Sequence, residues 1–210
     1  MKKLTKTIAA FTFATALVAC GGAEKKAEEK KMDENPKEET VEMVDLMIKP
    51  EDSKVVWEGN VLNVYSHSGT VSVTEGMLTL EGNQVKSGKF TADLTTMTPT
   101  DDNYTPEEGK TKEKLVGHLS SPDFFMVDSF PTASFEVTSH DVANNSITGN
   151  LTIRGVTNEE TVKDVKIDLA AKSASGKLTF DRKKYDVAFT HPAEDVVISD
   201  DVDLEIMLSM

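Results

Sequence analysis

The sequence predicts an all-β, antiparallel fold, a sandwich or a barrel, with roughly eight to ten strands joined by short links. Two observations support this prediction. From about Lys54 onward, apolar and polar residues alternate with the two-residue period of strands that bury one face. Clusters of Gly, Asn and Asp separate the alternating runs, as turns separate the strands of an antiparallel sheet.

Each predicted strand is defined by apolar residues that share one parity. In chain order these residues are Val71 and Val73; Leu78 and Leu80; Phe90, Ala92 and Leu94; Ala133, Phe135 and Val137; Ile147, Leu151 and Ile153; Val165, Ile167 and Leu169; Tyr185, Val187 and Phe189; and Val202, Leu204, Ile206 and Leu208. Gly76 is expected to interrupt the alternation between the first two runs. The predicted turns are Glu81-Gly82-Asn83, Ser87-Gly88, Asn144-Asn145 and Ser175-Gly176.

One long stretch, from Thr100 to Leu119, does not alternate. Its first part is polar, and Thr111 to Leu119 has helical character. A link of this length is unusual in a compact domain. We therefore expect a loop followed by one short helix, which would cap one end of a barrel.

The N-terminus predicts an export signal that ends in a lipidated cysteine. Lys2, Lys3 and Lys6 precede an apolar stretch over residues 8–18 that is too short to span a bilayer. The following segment, Leu17-Val18-Ala19-Cys20, resembles the lipobox of bacterial lipoproteins, and Cys20 is the one cysteine in the chain. We therefore predict a signal peptide over residues 1–19, acylation of Cys20, and anchoring to the bacterial outer membrane, facing the periplasm or the cell surface.

Residues 20–50 are predicted to be a disordered, charged tether. Low-complexity runs of Glu, Lys and Ala dominate this segment, which cannot bury enough apolar surface to offset its ordering entropy. The folded domain is therefore expected to cover residues 51–210.

Charge and motif content argue against several function classes. The formal net charge of −13 is unsuited to nucleic acid, which requires a basic face. No pair among the four histidines has a metal-type spacing, so no metal site or cofactor is predicted. No phosphate-binding loop and no nucleophile with an orienting base is evident, so we do not expect an enzyme.

The order of short motifs resembles the YceI-like family. These motifs are Trp57-Glu58-Gly59, His67-Ser68-Gly69-Thr70-Val71, Gly88-Lys89-Phe90, His118-Leu119-Ser120-Ser121-Pro122-Asp123-Phe124-Phe125, Ile147-Thr148-Gly149-Asn150-Leu151 and Phe180-Asp181-Arg182. The resemblance implies a lipocalin-like, eight-stranded antiparallel barrel with an elongated apolar cavity. It also implies an isoprenoid lipid as ligand, either an isoprenoid quinone or a polyprenyl phosphate. The acidic insertion over residues 101–108 disfavours an anionic head group more than a neutral quinone.

The candidate ligand-binding residues are His118, Phe124, Phe125, Phe90, Phe135 and Arg182. His118 could donate a hydrogen bond to a head group, or cap the short helix. The phenylalanines could line a cavity or fill a core. Arg182 could meet a head group, although an ion pair with Asp181 or Asp186 outside the barrel is preferred. Trp57 is expected to pack at the base of the barrel.

Three functions remain open at this point. The preferred one is a membrane-anchored carrier of an isoprenoid lipid, and a homodimer is possible. The second is an interaction lipoprotein whose barrel is packed solid, and the third is an isoprenoid-modifying enzyme. Small inward residues, Ala92, Ala133 and Gly149, weakly favour a hollow barrel over a filled one.

Overall fold

A computed structural model describes residues 42–62, 64–191, 193 and 196–210. Within these ranges the chain forms nine strands and one α-helix. The strands are β1 Met43–Met47, β2 Lys54–Val61, β3 Tyr65–Glu81, β4 Gln84–Pro99, β5 Thr132–Asp141, β6 Ser146–Ile153, β7 Val156–Asp168, β8 Ser173–Asp181 and β9 Ile198–Ser209. The helix α1 is Lys112–Ser120, and short 3₁₀ turns cover Pro50–Asp52, Pro106–Glu108 and Arg182–Tyr185.

Eight of these strands close into an antiparallel barrel. The order runs β3-β2-β9-β8-β7-β6-β5-β4, and β4 pairs with β3 to complete the circle. Closure lets the alternating apolar residues of every strand point inward while leaving no sheet edge between these strands. The predicted eight-stranded barrel with one short helix is confirmed.

The ninth strand, β1, lies beside the far half of β3. Met43 pairs with Glu81 and Met47 with Met77, whereas β2 pairs with the first half of β3. Because β1 falls inside residues 20–50, the predicted boundary between tether and folded domain is too late. Leu46 packs against the core and Ile48 is buried within it, which explains why this part of the chain joins the sheet.

The two ends of the barrel differ. At the closed end, defined by the turns at residues 82–83, 142–145 and 169–172, apolar side chains fill the interior. This packed set includes Leu80, Val85, Ile147, Val165, Leu208 and Met210. At the open end, defined by the end of β2, the start of β3 and the starts of β5 and β9, the interior is only partly filled.

Two predicted turns are confirmed and two are wrong. Gly82 and Asn145, in the β3–β4 and β5–β6 hairpins, have φ of 58° and 49°, the left-handed values that Gly and Asn tolerate best. Gly88 and Gly176 instead lie inside β4 and β8. A Cβ on Gly176 would lie 2.5 Å from a Val162 methyl, so this glycine makes room for packing between strands.

The predicted strand around Tyr185 and Val187 is also wrong. Residues Arg182–Tyr185 form a 3₁₀ turn, and Asp186 follows with a left-handed φ of 59°. Both apolar side chains are nevertheless fully buried, at 0% exposure. Their two-residue spacing therefore reflects a turn that points both side chains into the core.

Helix α1 confirms the predicted helix. Its N-cap is Thr111, whose hydroxyl accepts a hydrogen bond from the Lys114 backbone N–H at 3.3 Å. No helix in the described ranges is both long enough and apolar enough to cross a membrane. The predicted signal peptide, Cys20 and most of the predicted tether lie outside the described residues.

Candidate functional site: an amphipathic cavity at the open end of the barrel

The open half of the barrel encloses a cavity of about 550 Å³. Its inner wall is apolar and includes Val55, Val71, Leu151, Val162, Leu178 and Ile206. These residues occupy the inward positions of six different strands, as their alternation requires. The barrel is therefore not packed solid, which contradicts the filled-core alternative.

Small residues make part of this space. Ala92 on β4 and Ala133 on β5 form a cross-strand pair, and both line the cavity. Gly149 does not line the cavity, because the ring of Phe135 lies directly beside it. A Cβ on Gly149 would be 2.5 Å from that ring. The space that Gly149 leaves is thus occupied by an aromatic ring.

The four predicted phenylalanines all line the cavity. Phe90 and Phe135 stack across the β4–β5 pair with ring centroids 5.9 Å apart. Phe124 and Phe125 follow α1, and Arg154 holds this segment by donating to the Phe124 carbonyl oxygen at 2.5 Å. Phe124 and Phe135 are also buried core residues, so lining and packing are roles that the same side chains share.

His118 lies on the face of α1 that meets the cavity, together with Leu115 and Leu119. Its ring packs edge-on against Phe124 and Phe189, with centroids 4.8 Å and 4.7 Å away. The helix therefore forms part of the cavity wall near the open end, in agreement with the predicted cap. His118 contributes to an aromatic cluster in this wall.

Arg182 lines the cavity and does not form the predicted ion pair on the outside of the barrel. Its side chain is 4% exposed and lies 3.3 Å from Asp200, whereas Asp181 caps the following turn. Its guanidinium also donates to the carbonyl oxygens of Ser199 (2.9 Å) and Val187 (2.6 Å). The preferred ion pair with Asp181 or Asp186 is therefore wrong, because the buried guanidinium needs carbonyl partners inside the barrel.

Sequence reasoning missed a hydrogen-bonded pair at the open end. His67, on an inward position of β3, lines the cavity, and its Nδ1 lies 3.1 Å from Asp101 Oδ1. Asp101 also accepts from the backbone N–H of Ser68 (3.0 Å), the backbone N–H of Asn103 (2.9 Å) and the Tyr104 hydroxyl (2.9 Å). The acidic insertion is thus partly folded against β3.

Burial and hydrogen bonding act in opposite directions on Asp101. Burial raises the pKa of this carboxyl, but the hydrogen bonds that it accepts outweigh burial and lower the pKa to about 2. Asp101 is therefore ionised at any physiological pH. The Tyr104 hydroxyl, which is partly buried and donates to this carboxylate, has a raised pKa and stays protonated.

Trp57 also lies in the cavity wall, rather than only at the barrel base. It is paired with Gly69 on β3, where a Cβ would lie 2.5 Å from the indole ring. The signal was present in the sequence, since a large aromatic residue on one strand of a hairpin faces a glycine on the other. The Trp57 Nε1 is the one buried side-chain polar atom without a hydrogen-bond partner in the part of the chain that the structure describes.

Within that same part of the chain, no group of three His, Cys, Asp or Glu side chains could hold a metal ion. The polar groups that face the cavity are instead concentrated at the open end. They include Asn60, Tyr65, His67, Arg182, His191 and Ser199. The site is therefore amphipathic, with an apolar interior and a polar rim.

Comparison with models of known protein families identifies the family to which this barrel belongs. A family model described as the YceI-like domain matches residues 46–210. The chain belongs to the YceI-like family. The match includes all of the strands that close the barrel, and it begins within β1, five residues before the predicted start of the folded domain at residue 51.

Among its relatives, this YceI-like chain is 37% identical over 99 residues to a UPF0312 protein of Staphylococcus aureus strain bovine RF122 / ET3-1. That segment covers 42% of this chain and 56% of the relative, so the chain spans little more than half the length of the curated relatives that it matches.

Solved structures share the fold. BcnA of Burkholderia cenocepacia is 20% identical, with a TM-score of 0.58 over 77% of this chain and 98% of BcnA. A polyisoprenoid binding domain from Saccharophagus degradans is 11% identical, with a TM-score of 0.48 over 80% of this chain and 97% of the domain. The first likeness shows the fold alone, and the second is too low to carry an argument.

Proposed function

We propose that this YceI-like protein is a membrane-anchored carrier that holds one long apolar, isoprenoid-type lipid in its cavity. The observation that carries this proposal is the segregated wall, apolar within the barrel and polar at the open end. Such a wall suits a molecule with an apolar chain and a small polar head group. Binding of this kind needs no catalytic group, so we do not propose an enzyme.

The size of the cavity is sufficient for such a ligand. Its volume of about 550 Å³ lies within the range of roughly 300–1,000 Å³ that small-molecule sites occupy. Burying about 300 Å² of apolar chain at about 25 cal/mol per Å² would contribute about 7 kcal/mol before the cost of association. A lipid could therefore bind through its chain, with the head group selecting among lipids.

The head group is expected to be uncharged. An isoprenoid quinone and a polyprenyl phosphate both have the required chain, but the ionised Asp101 lies next to the cavity-lining His67. A phosphate placed near that carboxylate would be repelled. We therefore favour a neutral head group.

The open end also carries apolar side chains that a membrane could accept. Leu62, Val64 and Val197 are exposed by 47%, 63% and 52%, and they adjoin the cavity-lining Val61 and Val196. Single exposed apolar residues are common, but these three lie together at one side of the open end, where the Leu62 N–H donates to the Val197 carbonyl oxygen at 2.8 Å. Contact with a bilayer at this end would let the lipid pass without crossing water.

Membrane attachment rests on the N-terminal sequence alone, as does location at the outer membrane. Acylation of Cys20 would raise the intact mass of the protein isolated from the membrane fraction by the mass of the acyl groups. The substitution Cys20→Ser should release the protein from the membrane. A Cys20→Ser variant that stays in the membrane fraction would remove the proposed anchor while leaving the cavity proposal intact. A homodimer remains a prediction.

The decisive experiment is to identify the lipid that copurifies with the protein by native mass spectrometry and organic extraction. Ala133→Phe should place a ring in the cavity and abolish copurification, whereas Thr132→Phe, on the neighbouring outward position of β5, should not. Circular dichroism would show that both variants fold. The carrier function would be refuted if the wild-type protein purifies without any bound lipid and does not bind added isoprenoids.

A further inference from the structure

The Asp101 carboxylate places a hydrogen on one particular ring nitrogen of a cavity-lining histidine. The Asp101 side chain is only 10% exposed, and its oxygens accept four hydrogen bonds from β3 and from its own loop. An ionised carboxylate can accept hydrogen bonds but cannot donate them. Nδ1 of His67, which lies 3.1 Å from this carboxylate, must therefore carry a hydrogen.

In the neutral imidazole, the second ring nitrogen of His67 is consequently an acceptor. A neutral imidazole carries one N–H, so a hydrogen on Nδ1 leaves a lone pair on Nε2. The bond to Asp101 is the one hydrogen bond of the His67 side chain within the described ranges. The ring is held in place by Tyr104, stacked at 5.1 Å, and by the edge of Tyr65, also at 5.1 Å.

Two other nitrogenous side chains of the rim, Arg182 and His191, have a different polarity. The Arg182 guanidinium has only donors, which it uses on carbonyl oxygens and on Asp200. His191 accepts a hydrogen bond from the Ala193 backbone N–H at its Nδ1 (3.1 Å), so its neutral form has its hydrogen on Nε2. Among these three cavity-lining side chains, His67 alone has an acceptor nitrogen left to face a ligand.

We propose that His67 Nε2 accepts a hydrogen bond from a hydroxyl on the lipid head group, so that among neutral head groups the cavity selects those with a free hydroxyl, such as an alcohol or a quinol, over an ether or the carbonyls of an oxidised quinone. His67 is then the specificity-determining residue, and Asp101 is a positioning residue that acts through it. This inference rests on the proposed carrier function and names the chemistry of its head group.

The test compares two probes that differ in one hydrogen-bond donor, geranylgeraniol and its methyl ether. Binding to the delipidated full-length chain can be followed by the fluorescence of Trp57, which is the one tryptophan and lies in the cavity wall. At about pH 8, where an ordinary imidazole is neutral, the alcohol should bind about tenfold more tightly than the ether, as one buried hydrogen bond allows.

Two variants separate this role from a structural one. His67→Leu removes the acceptor and should bring the alcohol-to-ether affinity ratio close to one. Asp101→Asn keeps the histidine but lets the amide donate to Nδ1, which moves the imidazole hydrogen to Nε2 and should abolish or invert the preference. His140→Gln, a change at the closed end where His140 accepts from the Val85 backbone N–H, should keep the ratio.

The outcomes distinguish this inference from the carrier function. Tight binding of both probes without a preference would overturn the hydroxyl selection and leave the carrier function standing. A preference that survives in both His67→Leu and Asp101→Asn would overturn the role of His67. If neither probe binds the wild-type protein, the carrier function itself fails. Should His67→Leu not fold, the ratio in Asp101→Asn decides.

Discussion

Replacing Asp101 with Asn should make the stability of the barrel less dependent on pH. In the folded protein, burial raises the pKa of Asp101, but the hydrogen bonds that it accepts bring the pKa from 3.8 down to about 2. Because the folded-state pKa is depressed, the ionised carboxylate stabilises the fold above pH 3.8, and this contribution is lost as pH falls through about 2. At about 1.4 kcal/mol per pKa unit, the contribution at neutral pH is about 2 kcal/mol, and most of it is lost by about pH 2.5.

The assay is urea unfolding of the wild-type and Asp101→Asn proteins at several values between about pH 6 and pH 2.5. The difference between their free energies of unfolding should narrow by about 1–2 kcal/mol as the pH falls. Asp102→Asn is the matched control, since Asp102 is exposed and adjacent in sequence, and it should show a smaller change. A difference that stays constant within about 0.5 kcal/mol for Asp101→Asn would refute the reasoning, because the hydrogen bonds would then not favour the ionised form.

Three further substitutions test the packing around the cavity, each by urea unfolding at neutral pH. Arg182→Met should lower the free energy of unfolding by about 3 kcal/mol, because two carbonyl oxygens lose a charged donor; a loss below about 1 kcal/mol would show that water replaces it. Gly149→Ala should cost about 1–3 kcal/mol, since its Cβ would meet the Phe135 ring, and an unchanged stability would mean that this ring moves freely. Tyr185→Phe should cost about 1 kcal/mol through the lost bond to Glu160, 3.2 Å away, and a stabilised variant would contradict that assignment.

The barrel could be predicted because its determinants are local. Ile147, Leu151 and Ile153 share a parity and are all buried, as a strand with one inward face requires. The hairpin at Asn145 was predictable for the same reason, since a left-handed turn is a property of a few neighbouring residues. The family motifs added that the sheet closes around a cavity, which alternation alone does not decide.

The errors arose where a side-chain contact, rather than the local pattern of apolar residues, determines the local structure. Gly176 looks like a turn until Val162, on the neighbouring strand, is seen to occupy the space beside it. Tyr185 and Val187 have the spacing of a strand, but Arg182 closes a turn around them through its bond to the Val187 carbonyl oxygen. The phenylalanines of the cavity wall could be predicted because their apolar character is sufficient for that role.

The pairing of His67 with Asp101 could not be predicted, because these residues are 34 positions apart and lie on different segments. Nothing in the spacing of a loop indicates which of its carboxylates will meet a histidine on a strand. Asp101 looked like one of several acidic residues that would repel a ligand. In the folded protein it is the residue that orients the cavity-lining imidazole.

The strand Met43–Met47 determines where the polypeptide enters the barrel. Met43 is paired with Glu81, so the chain arrives at the closed end, opposite the entrance to the cavity. If Cys20 is acylated as proposed, the anchor is therefore connected to the closed end, whereas lipid would have to enter and leave the cavity at the open end. Fully extended, residues 21–41 can reach at most roughly 70 Å, more than the roughly 55 Å length of the longest strand, β3. The barrel could thus turn its open end toward the membrane that carries the anchor and contact it there. Deleting about ten of these residues should prevent that contact while leaving the protein attached.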